Sequence, residues 1–136
     1  MGAARVTKIR VLVVDDFEAW RRFVRSALQK NPELQIVGEA SDGLEAVQRA
    51  SELLPDLIVL DLGLPKLNGI EAARQIRTTS SKSKILFVSQ ESSADVVEAA
   101  LAAGGLGYVL KTRAEMDLLP AVKAVLEGRR FVSSGL

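Results

Sequence analysis

Short apolar runs rich in β-branched residues alternate along the chain with longer segments whose apolar positions recur at helical spacing. That alternation is the pattern of a parallel sheet with crossover helices. It predicts strands at 9–14, 34–40, 57–60, 85–88 and 108–110, each followed by a helix. The first helix aligns Trp20, Phe23, Val24, Ala27 and Leu28 on one stripe, and the last aligns Leu118, Leu119, Val122, Val125 and Leu126; both stripes should face the sheet. Helix starts carry capping-box-like pairs: Asp15 with Glu18, Asp42 with Glu45, Asn68 with Glu71, Ser92 with Asp95 and Thr112 with Glu115. Asn31-Pro32, Pro55, Gly104-Gly105 and Gly128 mark stops.

The polarity of each strand suggests its place. The runs 11–14, 57–60 and 85–88 are continuously apolar, as strands covered on both faces must be. The second strand carries Gln35 and Glu39, and the fifth is short, so both suit edges. The expectation is an α/β, doubly wound, flavodoxin-like fold: a five-stranded parallel sheet in the order 2-1-3-4-5 flanked by five helices. Right-handed crossovers then place helices 1 and 5 on one face and helices 2, 3 and 4 on the other.

Length and composition narrow the classes of function. The 136 residues suffice for one domain, and 48% hydrophobic with 26% charged residues describes a folding, globular chain. Eighteen Lys+Arg against 17 Asp+Glu leave a formal charge of +1, so no overall field advertises a nucleic-acid or membrane partner. With no Cys and no His, disulfides, structural zinc and histidine-based acid–base catalysis drop out, while oxygen-ligated hard metals remain. No apolar run approaches the roughly 18 residues of a membrane span, and the start lacks a signal-peptide core, so a cytoplasmic location is expected.

In a doubly wound sheet the ligand crevice opens at the carboxyl ends of the strands, at the switch point between strands 1 and 3. Strand 1 runs into Asp15 and Asp16, and strand 3 into Asp61. At 4 Å and an effective dielectric of about 20, each like-charged pair costs roughly 4 kcal/mol. Something positive must join them, either a divalent ion or a side-chain cation. Mg2+ suits a cluster of carboxylates lacking His and Cys. Lys111, just after strand 5, can reach the same mouth, and Ser89, just after strand 4, adds a hydroxyl. Asp15 could equally be a helix cap, Lys111 a solvated side chain and Ser89 a turn residue. Asp61 resists such a reading: the next helix begins about seven residues later, at Asn68-Gly69, so it caps nothing. The first turn repels phosphate, unlike the Gly-rich turn of a dinucleotide fold, which argues against NAD and FAD. The stretch 105–112 imitates a phosphate-binding loop, but Leu110 stands where its second Gly is required.

VLVVDD, DLIVLDLGLPKLNGIE, ILFVS and GYVLK together resemble the receiver domain of two-component response regulators, over about residues 8–128. The closing stretch LLPAVKAVLEGRRFVSSGL resembles the end of receivers of the LuxR/FixJ, NarL-like type, with 129–136 as the start of a linker or a C-terminal tail. The resemblance implies Asp61 as phosphoryl acceptor from a sensor histidine kinase. It implies Mg2+ on Asp16, Asp61 and the Gly63 carbonyl, with Asp15 acting through water. Ser89 and Lys111 would bind phosphoryl oxygens, and Tyr108 would be a rotating switch aromatic, although an edge aromatic packed beside helix 5 reads as well from sequence. A linked DNA-binding output domain is implied too, with no direct nucleic-acid or membrane binding by this chain; the oligomeric state stays open, a homodimer on phosphorylation being one alternative. Gln90 stands where a small residue is usual, and Thr112 where a Pro often follows the Lys.

The mechanism expected is phosphorylation of Asp61, recruitment of Ser89 and Lys111, entry of Tyr108 into the space they open, and remodelling of the face built from helix 4, strand 5 and helix 5. Apart from self-phosphorylation and slow autodephosphorylation, no enzyme activity is expected. A pseudo-receiver serving as a fixed interaction module is the alternative. A Mg2+-dependent phosphohydrolase is disfavoured, since Gly63 stands where a second acid would be needed and no cap is inserted.

Overall fold

Residues 8–136 are described by a computed structural model. Its elements are β1 (Ile9–Val14), α1 (Glu18–Leu28), β2 (Leu34–Ala40), α2 (Gly43–Leu53), β3 (Leu57–Leu60), α3 (Gly69–Thr79), β4 (Lys84–Ser89), α4 (Ala94–Ala102), β5 (Gly105–Leu110), a 3-10 turn at Lys111–Arg113, α5 (Ala114–Leu126) and β6 (Phe131–Val132). All strand pairs are parallel, and the order is β2-β1-β3-β4-β5-β6.

The expected five-stranded sheet is corrected to six strands, so β5 is no edge. β6 has two residues, too few for a periodicity to show, and tertiary anchors hold it. The Ser133 N–H donates to the Tyr108 carbonyl at 2.9 Å. Its hydroxyl donates to Asp117 Oδ2 at 2.7 Å and accepts from the Leu110 N–H at 3.1 Å. β5 also starts earlier than expected, at Gly105. Gly105 and Gly107 read as chain breakers, but here they serve close approach: a Cβ would lie 2.6 Å from the Phe87 ring at the first and 2.7 Å from Leu86 Cδ1 at the second.

Helices pack on both faces as the crossover rule requires. Alternate residues of β1 and β3 point to opposite layers, Leu12, Val14, Ile58 and Leu60 joining α2, α3 and α4, and Val11, Val13, Leu57 and Val59 joining α1 and α5. Since every one of these strand residues is buried, each layer's core is built against an apolar sheet face.

Two helix caps form as read: Asp42 and Asn68 accept from the N–H groups of Glu45 and Glu71. The Glu45 carboxylate, however, accepts from the Ser41 N–H at 2.7 Å. Three starts are corrected. Asp15 caps nothing, because Phe17 occupies the N-cap of α1 without a side-chain bond. α4 is capped by Ser93 rather than Ser92. Thr112 lies within the 3-10 turn, so α5 begins at Ala114. Pro120 sits inside α5 and denies the Met116 carbonyl its helical donor, at a residue that is exposed to solvent.

Candidate functional site

Register brings the functional strand ends together. Val14 pairs with Leu60, Leu60 with Phe87, and Ser89 with Leu110, so Asp15, Asp61, Ser89 and Lys111 emerge at one end of the sheet. The ladder continues one residue past each central strand: the Asp15 N–H donates to the Ala40 carbonyl and the Asp61 N–H to the Val14 carbonyl, both at 3.1 Å. The two carboxylates therefore stand on backbone as rigid as the sheet.

Asp61 is fixed further by the loop that follows it. Its Oδ1 accepts from the Leu62 N–H at 2.8 Å, and the Gly69 N–H donates to the Leu62 carbonyl at 2.8 Å, folding the loop back. A Cβ at Gly69 would lie 2.0 Å from the Asp61 carbonyl oxygen, and one at Gly43 only 1.8 Å from that of Leu67. Glycine at both positions lets the first turns of α3 and α2 clamp the loop from two sides.

Carboxylate oxygens of Asp15, Asp16 and Asp61 lie within 4.8 Å of one another, Asp15 and Asp61 buried and Asp16 exposed. Lys111 bridges the buried pair. Its Nζ donates to Asp15 Oδ2 at 2.7 Å and lies 3.6 Å from Asp61 Oδ2, with only 9% of its side chain exposed. The other Asp15 oxygen accepts from the Phe17 N–H at 2.9 Å, and its carbonyl accepts from Arg21 Nη1 at 2.7 Å. Burial pushes the Asp61 carboxyl above the ordinary value; the Lys111 ammonium pulls it down and the Asp15 charge pushes it up again. One lysine thus leaves the mouth short of positive charge. The donor set, all oxygen and open to water at Asp16, fits a hard divalent cation.

Asp16, Phe17, Asp61, Gly63, Ser89, Gln90, Glu91 and Lys111 line a cavity of about 190 Å³ at this mouth. Ser89 is buried, and its Oγ accepts from the Glu91 N–H at 3.2 Å. Gly63 sits beside Asp61, where a Cβ would be 4.0 Å from Oδ2.

Tyr108 is placed differently from the reading beside helix 5. It is fully buried, packs in the α2–α3–α4 layer with its ring centroid 6.3 Å from that of Phe87, and donates its hydroxyl to the Glu91 carbonyl at 2.7 Å. Packing beside α5 is therefore corrected, since Tyr108 points to the opposite sheet face. Three residues at the mouth went unread in the sequence: Phe17, Glu91 and Arg21. The first two directly follow Asp16 and Gln90 and could have been found by position; Arg21 acts on a backbone carbonyl, which leaves no pattern.

A sheet end that gathers three acids, a half-buried lysine and a buried hydroxyl, with no Gly-rich turn, defines a class of doubly wound domains distinct from the nucleotide-binding folds. The model of the response regulator receiver domain matches residues 11–123, and the chain belongs to that family. It is 39% identical over 126 residues to the transcriptional regulatory protein LiaR of Bacillus subtilis, covering 93% of this chain and 60% of that protein. To the nitrate/nitrite response regulator protein NarL of Escherichia coli it is 35% identical, covering 93% and 58%. The chain thus spans less than two thirds of these relatives' length. Among solved structures, a LuxR-family two-component response regulator from Aurantimonas superposes with a TM-score of 0.89 at 35% identity, over 94% of this chain and 91% of that one. The signal receiver domain of NarL from Mycobacterium tuberculosis gives 0.85 at 32% identity, over 90% and 99%. The chain is a receiver domain of the NarL/LuxR type. Among the described residues no helix is long and apolar enough to cross a membrane.

Proposed function

We propose that this chain is a phosphorylation switch in which Asp61 accepts a phosphoryl group from a sensor histidine kinase. The observation that carries the reading is the bridged acid pair, with Asp61 facing the cavity 3.6 Å from the Lys111 ammonium. Asp16, Asp61 and the Gly63 carbonyl would hold Mg2+, with Asp15 acting through water. Bound there, Mg2+ supplies the positive charge that lets phosphoryl oxygens approach an acidic mouth.

An Asp61 carboxylate oxygen forms the new bond to phosphorus as the donor's bond to phosphorus breaks. The electron pair leaves with the donor, as acetate from acetyl phosphate or on the imidazole of a phosphohistidine, which takes a proton from solvent. Lys111 then faces a second anion, and the Ser89 hydroxyl, now accepting from Glu91, turns to donate to a phosphoryl oxygen. That rotation frees the Glu91 N–H, while the Glu91 carbonyl is the acceptor for Tyr108. The switch therefore runs through the β4–α4 loop, with Tyr108 as its inner anchor, toward the α4, β5 and α5 face.

The name of the transcriptional regulatory protein LiaR supports an output in transcription; to this the proposal adds a linked DNA-binding domain, a homodimer on phosphorylation and a cytoplasmic location. Apart from taking up and slowly losing its own phosphoryl group, the chain is no enzyme. A pseudo-receiver is the second reading, favoured by Gln90 at the cavity and by Tyr108 already lying inward.

Mg2+ with acetyl phosphate or beryllofluoride separates the two. An acid-labile single phosphorylation that disappears in Asp61→Asn is the expected result; no uptake from any donor leaves the pseudo-receiver. Mg2+ should also change the fluorescence of Trp20, the single tryptophan, and Asp16→Asn should weaken that response strongly. Identical titrations in the two proteins would rule out the metal site.

A further inference from the structure

Lys111 has a third neighbour besides the two acids: its Nζ lies over the Trp20 ring, 4.9 Å from the centroid. That distance is within the range at which an ammonium is attracted to the negative face of an indole. We propose that Trp20 is a positioning residue for Lys111, holding the ammonium by its ring face so that the cation can pass between Asp15 and a phosphoryl group on Asp61; this rests on the phosphoacceptor reading above.

The argument comes from the directions available to the ammonium. One N–H donates to Asp15 at 2.7 Å, and Asp61 at 3.6 Å attracts it without a hydrogen bond. A cation so nearly buried must have its remaining side either hydrated or compensated. The indole compensates it. Attraction to a ring face has no fixed hydrogen-bond direction, so the ammonium can pivot toward Asp61 without surrendering that contact. A hydrogen-bonding side chain at position 20 would pin it, and an aliphatic one would leave it facing hydrocarbon.

Trp20 is suited to hold still. It lies on the sheet-facing stripe of α1, packs against the α1–α5 layer, and has its ring centroid 4.8 Å from that of Phe23 at 34° between planes. The ring is thus a support for Lys111 supplied by a helix that carries no acid of the cluster.

Two measurements test this, one independent of phosphorylation. In metal-free protein, Lys111→Met removes the charge at nearly constant volume, and the Trp20 emission spectrum should shift; an unchanged spectrum overturns the proposal, whether or not Asp61 is ever phosphorylated. In the second, Trp20→Phe, which keeps a ring, should take up phosphate from acetyl phosphate at close to the wild-type rate. Trp20→Leu should slow the maximal rate by roughly ten-fold while its Mg2+ affinity, measured by calorimetry, stays at the wild-type value. Equal rates in the Leu and Phe variants, or a loss in Trp20→Leu that follows Mg2+ affinity alone, would overturn it. If wild type takes up no phosphate, the phosphoacceptor reading fails and the emission spectrum alone decides the place of Trp20.

Discussion

Asp61 is held by the sheet in a place where its charge is unfavourable, and that tension is measurable. Because burial raises its pKa, the folded chain binds the proton more tightly than the unfolded chain does. The protonated form therefore contributes stability that is fully present below the ordinary carboxylate value and is lost as pH rises through the folded value. Asp61→Asn, which removes the charge, should be more stable than wild type at neutral pH by about 1 kcal/mol. Denaturant titrations across pH should show the difference shrinking as pH falls toward the ordinary carboxylate value. Tyr108→Phe belongs to the same scale. It deletes the donor to the Glu91 carbonyl, so it should cost about 1 kcal/mol and speed amide exchange in residues 90–93. The acids, Ser89 and Lys111 were legible in the sequence because each lies at a strand end or within two residues of one, and parallel register decides where strand ends meet. The rotamer of Tyr108 and the seat of Lys111 on Trp20 were not, because they depend on side chains distant in sequence.

Among the elements, the turn between β3 and α3 does most to shape the site. Gly69→Ala would drive a methyl group into the Asp61 carbonyl, 2.0 Å from where its Cβ must sit. A loss of about 3 kcal/mol or more is expected, together with weakened Mg2+ binding by the Trp20 titration, because Asp61 must move with its loop. The last strand is set by one hydroxyl. Ser133→Ala strands the half-buried Leu110 N–H and takes one partner from Asp117, leaving the Arg113 contact at 3.1 Å. Thermal unfolding should show a loss of about 1–3 kcal/mol. Nothing in the pattern FVSSGL announces a strand, since two residues hold no period. The caps show the same limit: Asp42 and Asn68 were read correctly from local chemistry, whereas Asp15 had the same local chemistry and was claimed by Lys111 from 96 positions away.

At the scale of the molecule, the near-balanced charge conceals a separation. A chain of formal charge +1 keeps three acids at one sheet end, two of them buried. The order of the first five strands and the division of helices between faces followed from apolar runs and crossover handedness, both properties of the whole chain. The sixth strand escaped that logic, and its role is global too, because it covers the β5 edge. Removing residues 131–136 should bare that edge, and sedimentation should then show association rising with concentration.

Pro120 draws a last line through α5. Its ring deprives only the carbonyl of the exposed Met116, so the break faces water. Moved one step to Ala121, the same ring would rob the carbonyl of buried Asp117 and press against the sheet. The helix thus tolerates its imino acid at 120 and would reject it next door, a contrast set by the wet and dry sides of one turn.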